Sequence, residues 1–170
     1  GWSVSLSADG TKVAIGAINN DETDIDAGHV RIYNYTPSGT ASWTQLGADI
    51  DGEAGGQYAG DNSGVSVSLS ADGTKVAIGA NKNDGTASNA GHVRIYNYTP
   101  SGTASWTQLG ADIDGEAAND YLGHSVSLSA DGTKVAIGAI GNGSGHVRIY
   151  NYTPSGTASW TQLGADIDGE

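Results

Sequence analysis

The fifteen residues SVSLSADGTKVAIGA occur three times in this chain, at 3–17, 66–80 and 125–139, without a single substitution. A longer block, GHVRIYNYTPSGTASWTQLGADIDGE, follows each of them at 28–53, 91–116 and 145–170, again unchanged. A chain built this way folds as copies of one small unit, each unable to bury its own apolar surface and dependent on its neighbours for a core. All variation falls in two connectors. One is INNDETDIDA, NKNDGTASNA or IGNGS; the other is AGGQYAGDNSGV or AANDYLGH. Length changes confined to these places mark them as surface loops.

Within a copy the pattern reads as four strands. SVSLS alternates, with Val4 and Leu6 on one face and Ser3, Ser5 and Ser7 on the other. The Asp-Gly of ADGT signals a hairpin turn. KVAIGA sets Val13 and Ile15 opposite Ala14 and Gly16. HVRIYNY sets Val30 and Ile32 opposite His29, Arg31, Tyr33 and Tyr35, and after a Pro/Gly loop SWTQLGADI is expected as one fourth strand. No segment has helical periodicity. With 27 Gly and no Phe, Met or Cys, the core must come from Val, Ile, Leu, Ala, Tyr and Trp, a mixture that favours strands.

One expected face is built of Val, Leu and Ile; the other carries Ser, Ala and Gly on the first two strands and larger residues on the third. Small residues suit close approach of a neighbouring sheet, and a radial stack of four-stranded sheets supplies one. The expectation is therefore an all-β fold of β-propeller blades, three four-stranded antiparallel blades per chain. Blade 1 spans 1–53, blade 2 with its leading linker 54–116, and blade 3 with its leading linker 117–170. Three blades do not close a ring, since propellers have about 4–8. Completion to a six-bladed ring by a head-to-tail homodimer with twofold symmetry follows as an expectation.

The formal net charge of −12 argues against nucleic-acid binding, which needs a basic surface. No apolar run reaches the roughly 20 residues of a membrane-spanning helix, and no membrane partner is expected. Without cysteine there is no disulfide, thiolate metal site or Cys nucleophile. The chain starts at Gly1 in mid-motif and reads as a native fragment or an engineered protein, with any targeting segment cut away.

GWSVSLSADGTKVAIGA resembles the FG-GAP repeat of the integrin α-subunit propeller and of many bacterial and algal surface proteins. The matching residues are Gly1-Trp2, Asp9-Gly10 and Gly16-Ala17; the other copies start with Gly64-Val65 and Gly123-His124, without the aromatic. The resemblance implies a propeller and an extracellular or cell-surface parent protein. Calcium-binding members carry an Asp/Asn-rich loop between the first two strands. Here that turn has only Asp9, Asp72 or Asp131, with Lys12, Lys75 or Lys134 where another carboxylate often lies. A hard cation wants about 6–8 oxygens, so the family's calcium site is not carried over to these turns.

Two other carboxylate groups are candidates for a metal, with calcium the cation considered: Asp21, Glu22, Asp24 and Asp26 in the first loop, and the recurring Asp49, Asp51 and Glu53. A solvated acidic loop explains the first set, and an edge strand charged against aggregation explains the second. His29, His92 and His146 occupy equivalent positions that symmetry holds apart, which favours a structural role. His124 precedes Ser125, but no third triad member can be named. Arg31, Tyr33 and Tyr35 would suit a carbohydrate or peptide surface, or Arg-over-Tyr packing between blades. Asn34, Asn97, Asn151 and Asn142 head glycosylation tripeptides.

No catalytic constellation is visible, so an enzyme is not expected. The function expected is a non-catalytic repeat scaffold that self-assembles into a propeller. The alternative is an adhesive or ligand-binding extracellular module of the FG-GAP type, calcium-dependent, with a protein or carbohydrate ligand.

Overall fold

The computed structural model describes residues 1–53, 60–101, 105–141, 143–154 and 159–170. The linker segment 54–59, the tips of the second and third TPSGTA loops, and the Asn142 tripeptide's first residue lie outside them.

Each copy forms one antiparallel sheet. In the first, β1 (Ser3–Leu6), β2 (Lys12–Ala17), β3 (His29–Thr36) and β4 (Ser42–Gln45) pair in chain order, and the two-residue β5 (Ile50–Asp51) returns to β3. The second contains β6 (Ser66–Leu69), β7 (Lys75–Ala80), β8 (His92–Thr99), β9 (Ser105–Gln108) and β10 (Ile113–Asp114). The third contains β11 (Ser125–Leu128), β12 (Lys134–Ala139), β13 (His146–Thr153), β14 (Ser159–Gln162) and β15 (Ile167–Asp168). Among the described residues no helix is long and apolar enough to cross a membrane.

The fourth strand departs from the sequence reading. SWTQLGADI is not continuous: Gln45 pairs with Tyr33 and Ile50 with Val30, so Leu46 to Asp49 bulge out opposite only Arg31 and Ile32. Gly47, at φ 78°, takes the left-handed conformation that lets the chain bend there. Gln45 Nε2 and Arg31 Nε donate to Asp49, at 2.5 and 2.8 Å, and tie the bulge to both flanking strands.

The face assignment of the third strand also differs. Directly opposed residues of an antiparallel pair point the same way, and the register sets Val30 opposite Gly16 and Ile32 opposite Ala14. Val30 and Ile32 therefore share the face of the small residues, while Arg31 and Tyr33 join Val13 and Ile15. Each sheet thus has one face bulky near β1 and β2 and another that is small there and bulky on β3.

These faces interlock. Ala14, Val30, Ile32 and Ile50 of the first sheet pack against Val67, Leu69, Val76 and Ile78 of the second. The second sheet's Ala77, Val93, Ile95 and Ile113 meet Leu128, Val135 and Ile137 of the third in the same way. The expected closeness of the small residues is extreme at Gly16 and Gly79. A Cβ on either would overlap the carbonyl oxygen of Gly64 or Gly123, which open the next sheet.

Candidate functional site

The contacts between sheets form a repeated set. Trp106 Nε1 donates to Leu46 O, and Trp160 Nε1 to Leu109 O, both at 2.7 Å. The bulge after β4 is thus the seat for the next blade's tryptophan. The indole of Trp106 lies over Gly47, where a Cβ would sit 2.9 Å from Cδ1. Each tryptophan also leans on the tyrosine across its own hairpin, at ring centroid distances of 5.2 Å.

The first strands are joined by serines that the sequence gives no reason to single out. Ser3 and Ser66 donate to Gly64 O and Gly123 O, both at 2.8 Å. Ser5 and Ser68 accept from Leu69 N and Leu128 N. The turns chain together through Ala8 N to Ala71 O and Ala71 N to Ala130 O. Lys12 and Lys75 reach over the next turn to Asp72 O and Asp131 O.

Inside those turns Asp9 accepts from Ser7 Oγ, Thr11 N and Thr11 Oγ1, which hold its carboxyl down at about 2. Asp72 and Asp131 repeat the arrangement. The turn carboxylates are thus occupied by hydrogen bonds within their own loops.

The arginines of the third strands go to carboxylates. Arg31, Arg94 and Arg148 each pair with the aspartate of their own bulge, Asp49, Asp112 and Asp166, at 2.7 Å. Arg94 also pairs with Glu53 of the preceding blade and Arg148 with Glu116. Glu53 is therefore a tie between blades, separated in role from Asp49 and Asp51, with which the sequence grouped it. Arg31 has no equivalent glutamate among the described residues.

Beside each arginine lies a histidine. Because β5 pairs back onto β3, His29 and Asp51 are direct cross-strand partners, as are His92 and Asp114. In the first blade Glu22, His29, Asp49 and Asp51 bring one ligand atom each within 4.8 Å of one another, and His92, Asp112 and Asp114 do so in the second. The first candidate set therefore splits. Glu22 reaches the cluster, whereas Asp21, Asp24 and Asp26 organise their own loop by accepting from Asp26 N, Ile25 N and Asn19 Nδ2.

Burial, with Arg94 alongside, pushes His92 down to about 4. The unfolded imidazole titrates near 6.5. Only the unfolded state takes up a proton between those values, so this contribution is complete above pH 6.5 and is lost as pH falls toward 4. The loss expected by the end of that window is about 3 kcal/mol at 1.36 kcal/mol per pH unit. Urea unfolding at about pH 7.5 and 4.5 measures it; His92→Gln should flatten the difference.

The fold and its repeated contacts define an all-β repeat protein with a β-propeller-like arrangement of four-stranded units. No model of a known protein family and no curated protein matches the chain. Among solved structures it is similar to a "putative 6-phosphogluconolactonase" of Bacteroides uniformis ATCC 8492, with 14% identity and a TM-score of 0.58 over 98% of this chain and 40% of that one. It is also similar to hydrazine synthase of Kuenenia stuttgartiensis, with 10% identity and a TM-score of 0.53 over 98% of this chain and 36% of that one. The chain spans less than half the length of either, and identities this low speak for the fold alone.

Proposed function

We propose that the chain is a non-catalytic repeat scaffold whose three blades close with a second copy into a six-bladed β-propeller. The observation that carries this is the identity of the two open faces with the two faces already joined inside the chain. Val4 is 70% exposed on the first blade, where its equivalent Val67 is 8% exposed; Ile167 is 58% exposed on the third, where Ile50 is 6% exposed. An apolar hollow lined by Val13, Ile15, Tyr33 and Trp43 lies on the first face. The corresponding residues of blades 2 and 3 are packed against a neighbour.

The tryptophan, serine, turn and arginine contacts between blades each have an unused counterpart at these ends. By repetition, Trp43 Nε1 would donate to Leu163 O of the second copy, Ser125 Oγ to its Gly1 O, and Ala130 N to its Ala8 O. Arg31 would gain Glu170, as Arg94 has Glu53. A heterologous interface of this kind closes when the rotation per blade suits the ring size. Six blades lie within the usual range of about 4–8.

Native mass spectrometry of the chain, with light scattering over a range of concentrations, tests the reading. A mass twice the 17.1 kDa of one chain supports it. A monodisperse monomer overturns it. The second reading, an FG-GAP-type ligand-binding module, draws on the resemblance of the Asp-Gly turns and on the acidic clusters. Under that reading calcium raises the melting temperature relative to chelator, by the linkage of binding to folding.

A further inference from the structure

We propose that Glu22, His29, Asp49 and Asp51 form a binding site for a borderline divalent cation of the zinc type, held within the first blade. His29 is the observation that lifts this group above a surface acidic cluster. Its side chain is 7% exposed, and buried Nδ1 has no hydrogen-bond partner among the described residues. That nitrogen faces Asp49 Oδ2 at 3.7 Å, too far for a hydrogen bond. Two ligands of one tetrahedral ion, each bonded at about 2.0–2.2 Å, sit roughly 3.4 Å apart. A buried polar nitrogen without a partner carries a desolvation cost that a metal bond would remove.

The donor set chooses the cation. Four ligand atoms, one of them an imidazole nitrogen, suit zinc; calcium takes about 6–8 oxygens and no nitrogen. Charge points the same way. Three carboxylates face the single guanidinium of Arg31, leaving a formal deficit that one divalent ion cancels. Arg31 holds Asp49 through Oδ2 with both Nε and Nη2, and Gln45 fixes Oδ1, so the carboxylate is already oriented.

Among the described residues the four-donor group occurs in the first blade. In blade 2 the place of Glu22 is taken by Gly85, whose Cβ position would lie 3.9 Å from Asp114 Oδ1. Among the described residues three donors converge there, and Arg94 is clamped between Asp112 and Glu53. The blocks that build the strands are identical, so the fourth donor, Glu22, is supplied by the variable loop.

Isothermal titration of the chelator-treated chain with Zn²⁺ is the test, alongside the visible spectrum of the Co²⁺-loaded protein. Because His29 is buried, Glu22→Gln and Asp51→Asn, both at exposed residues, carry the argument, with His29→Gln as the spectroscopic variant. Each is expected to weaken Zn²⁺ binding roughly 10- to 100-fold or more, since even outer-shell partners are worth about that. His29→Gln should also abolish the nitrogen-dependent Co²⁺ bands. Asp168→Asn, the counterpart of Asp51 in the third blade, should bind like the unaltered chain. The proposal is overturned if the unaltered chain does not bind Zn²⁺, if Glu22→Gln and Asp51→Asn bind as it does, or if Asp168→Asn weakens binding equally.

Discussion

Trp106→Ala is expected to lower the unfolding free energy of the chain by about 2–3 kcal/mol, below the ~3–5 kcal/mol typical of deleting a fully buried aromatic, because the indole is only partly buried. The indole fills the space over Gly47, bonds Leu46 O, and packs with Tyr96 against the core shared by blades 1 and 2. Its removal leaves a cavity between blades and takes away the indole donor to Leu46 O. Trp43 is the same residue in the same hairpin, but its indole meets no preceding blade within the chain and is 46% exposed. Trp43→Ala should therefore cost the single chain only about 1 kcal/mol, from its pairing with Tyr35, while shifting the proposed dimer toward monomer. Urea unfolding at low concentration measures the first effect, and native mass spectrometry the second. Equal losses of stability for the two variants in the monomeric state would refute the assignment of Trp106 as the bridge between blades.

A second pair of variants separates the inner strands in the same way. Gly79→Ala places a methyl group onto the carbonyl oxygen of Gly123. The obstacle is backbone on both sides, which side-chain rotation cannot relieve, so blades 2 and 3 must move apart along β6 and β11. Overpacking costs about 1–3 kcal/mol where side chains can adjust; here a loss at or above that upper end is expected. Gly138→Ala makes the same change in blade 3, where the added methyl meets only Ser125 Oγ, a group free to rotate. It should leave the isolated chain nearly as stable as before. In the closed ring that methyl would meet Gly1 O of the second copy, so the dimer should be lost. Melting temperatures of both variants, read with their native masses, give the comparison. Retained dimerisation of Gly138→Ala would argue against the proposed closure.

Much of this architecture can be read in the residues themselves. Alternation in SVSLS and KVAIGA, and the Asp-Gly turn between them, place β1 and β2 within a residue of their observed limits. The small residues at Ser3, Ser5, Ala14 and Gly16 correctly signal close approach of another sheet, because nothing else explains so little bulk on a strand face without charge. The candidate site was legible only in pieces. Asp49 and Asp51 were recognisable as a recurring carboxylate pair, and Glu22 as part of an acidic loop. The residue that unites them, His29, was assigned a structural role because its copies are held apart around the molecule. One histidine can still meet carboxylates of its own blade, as His29 does.

The sequence by itself determined the number of units, their all-β character and the exclusive placement of variation in loops, since each of these follows from local pattern and exact repetition. The tertiary structure decided the rest. Alternation shows that Val30 and Ile32 share a face, but only the register of β3 against β2 tells which face of the sheet that is. The bulge at Leu46 to Asp49 was hidden for a related reason. A fourth strand continuous in sequence is broken by the demands of the next blade's tryptophan, a partner some 60 residues away. Glu53 was separated from its neighbours and given to Arg94 by the same packing. Pairings between residues distant along the chain are set by how sheets stack, and local pattern carries no record of them.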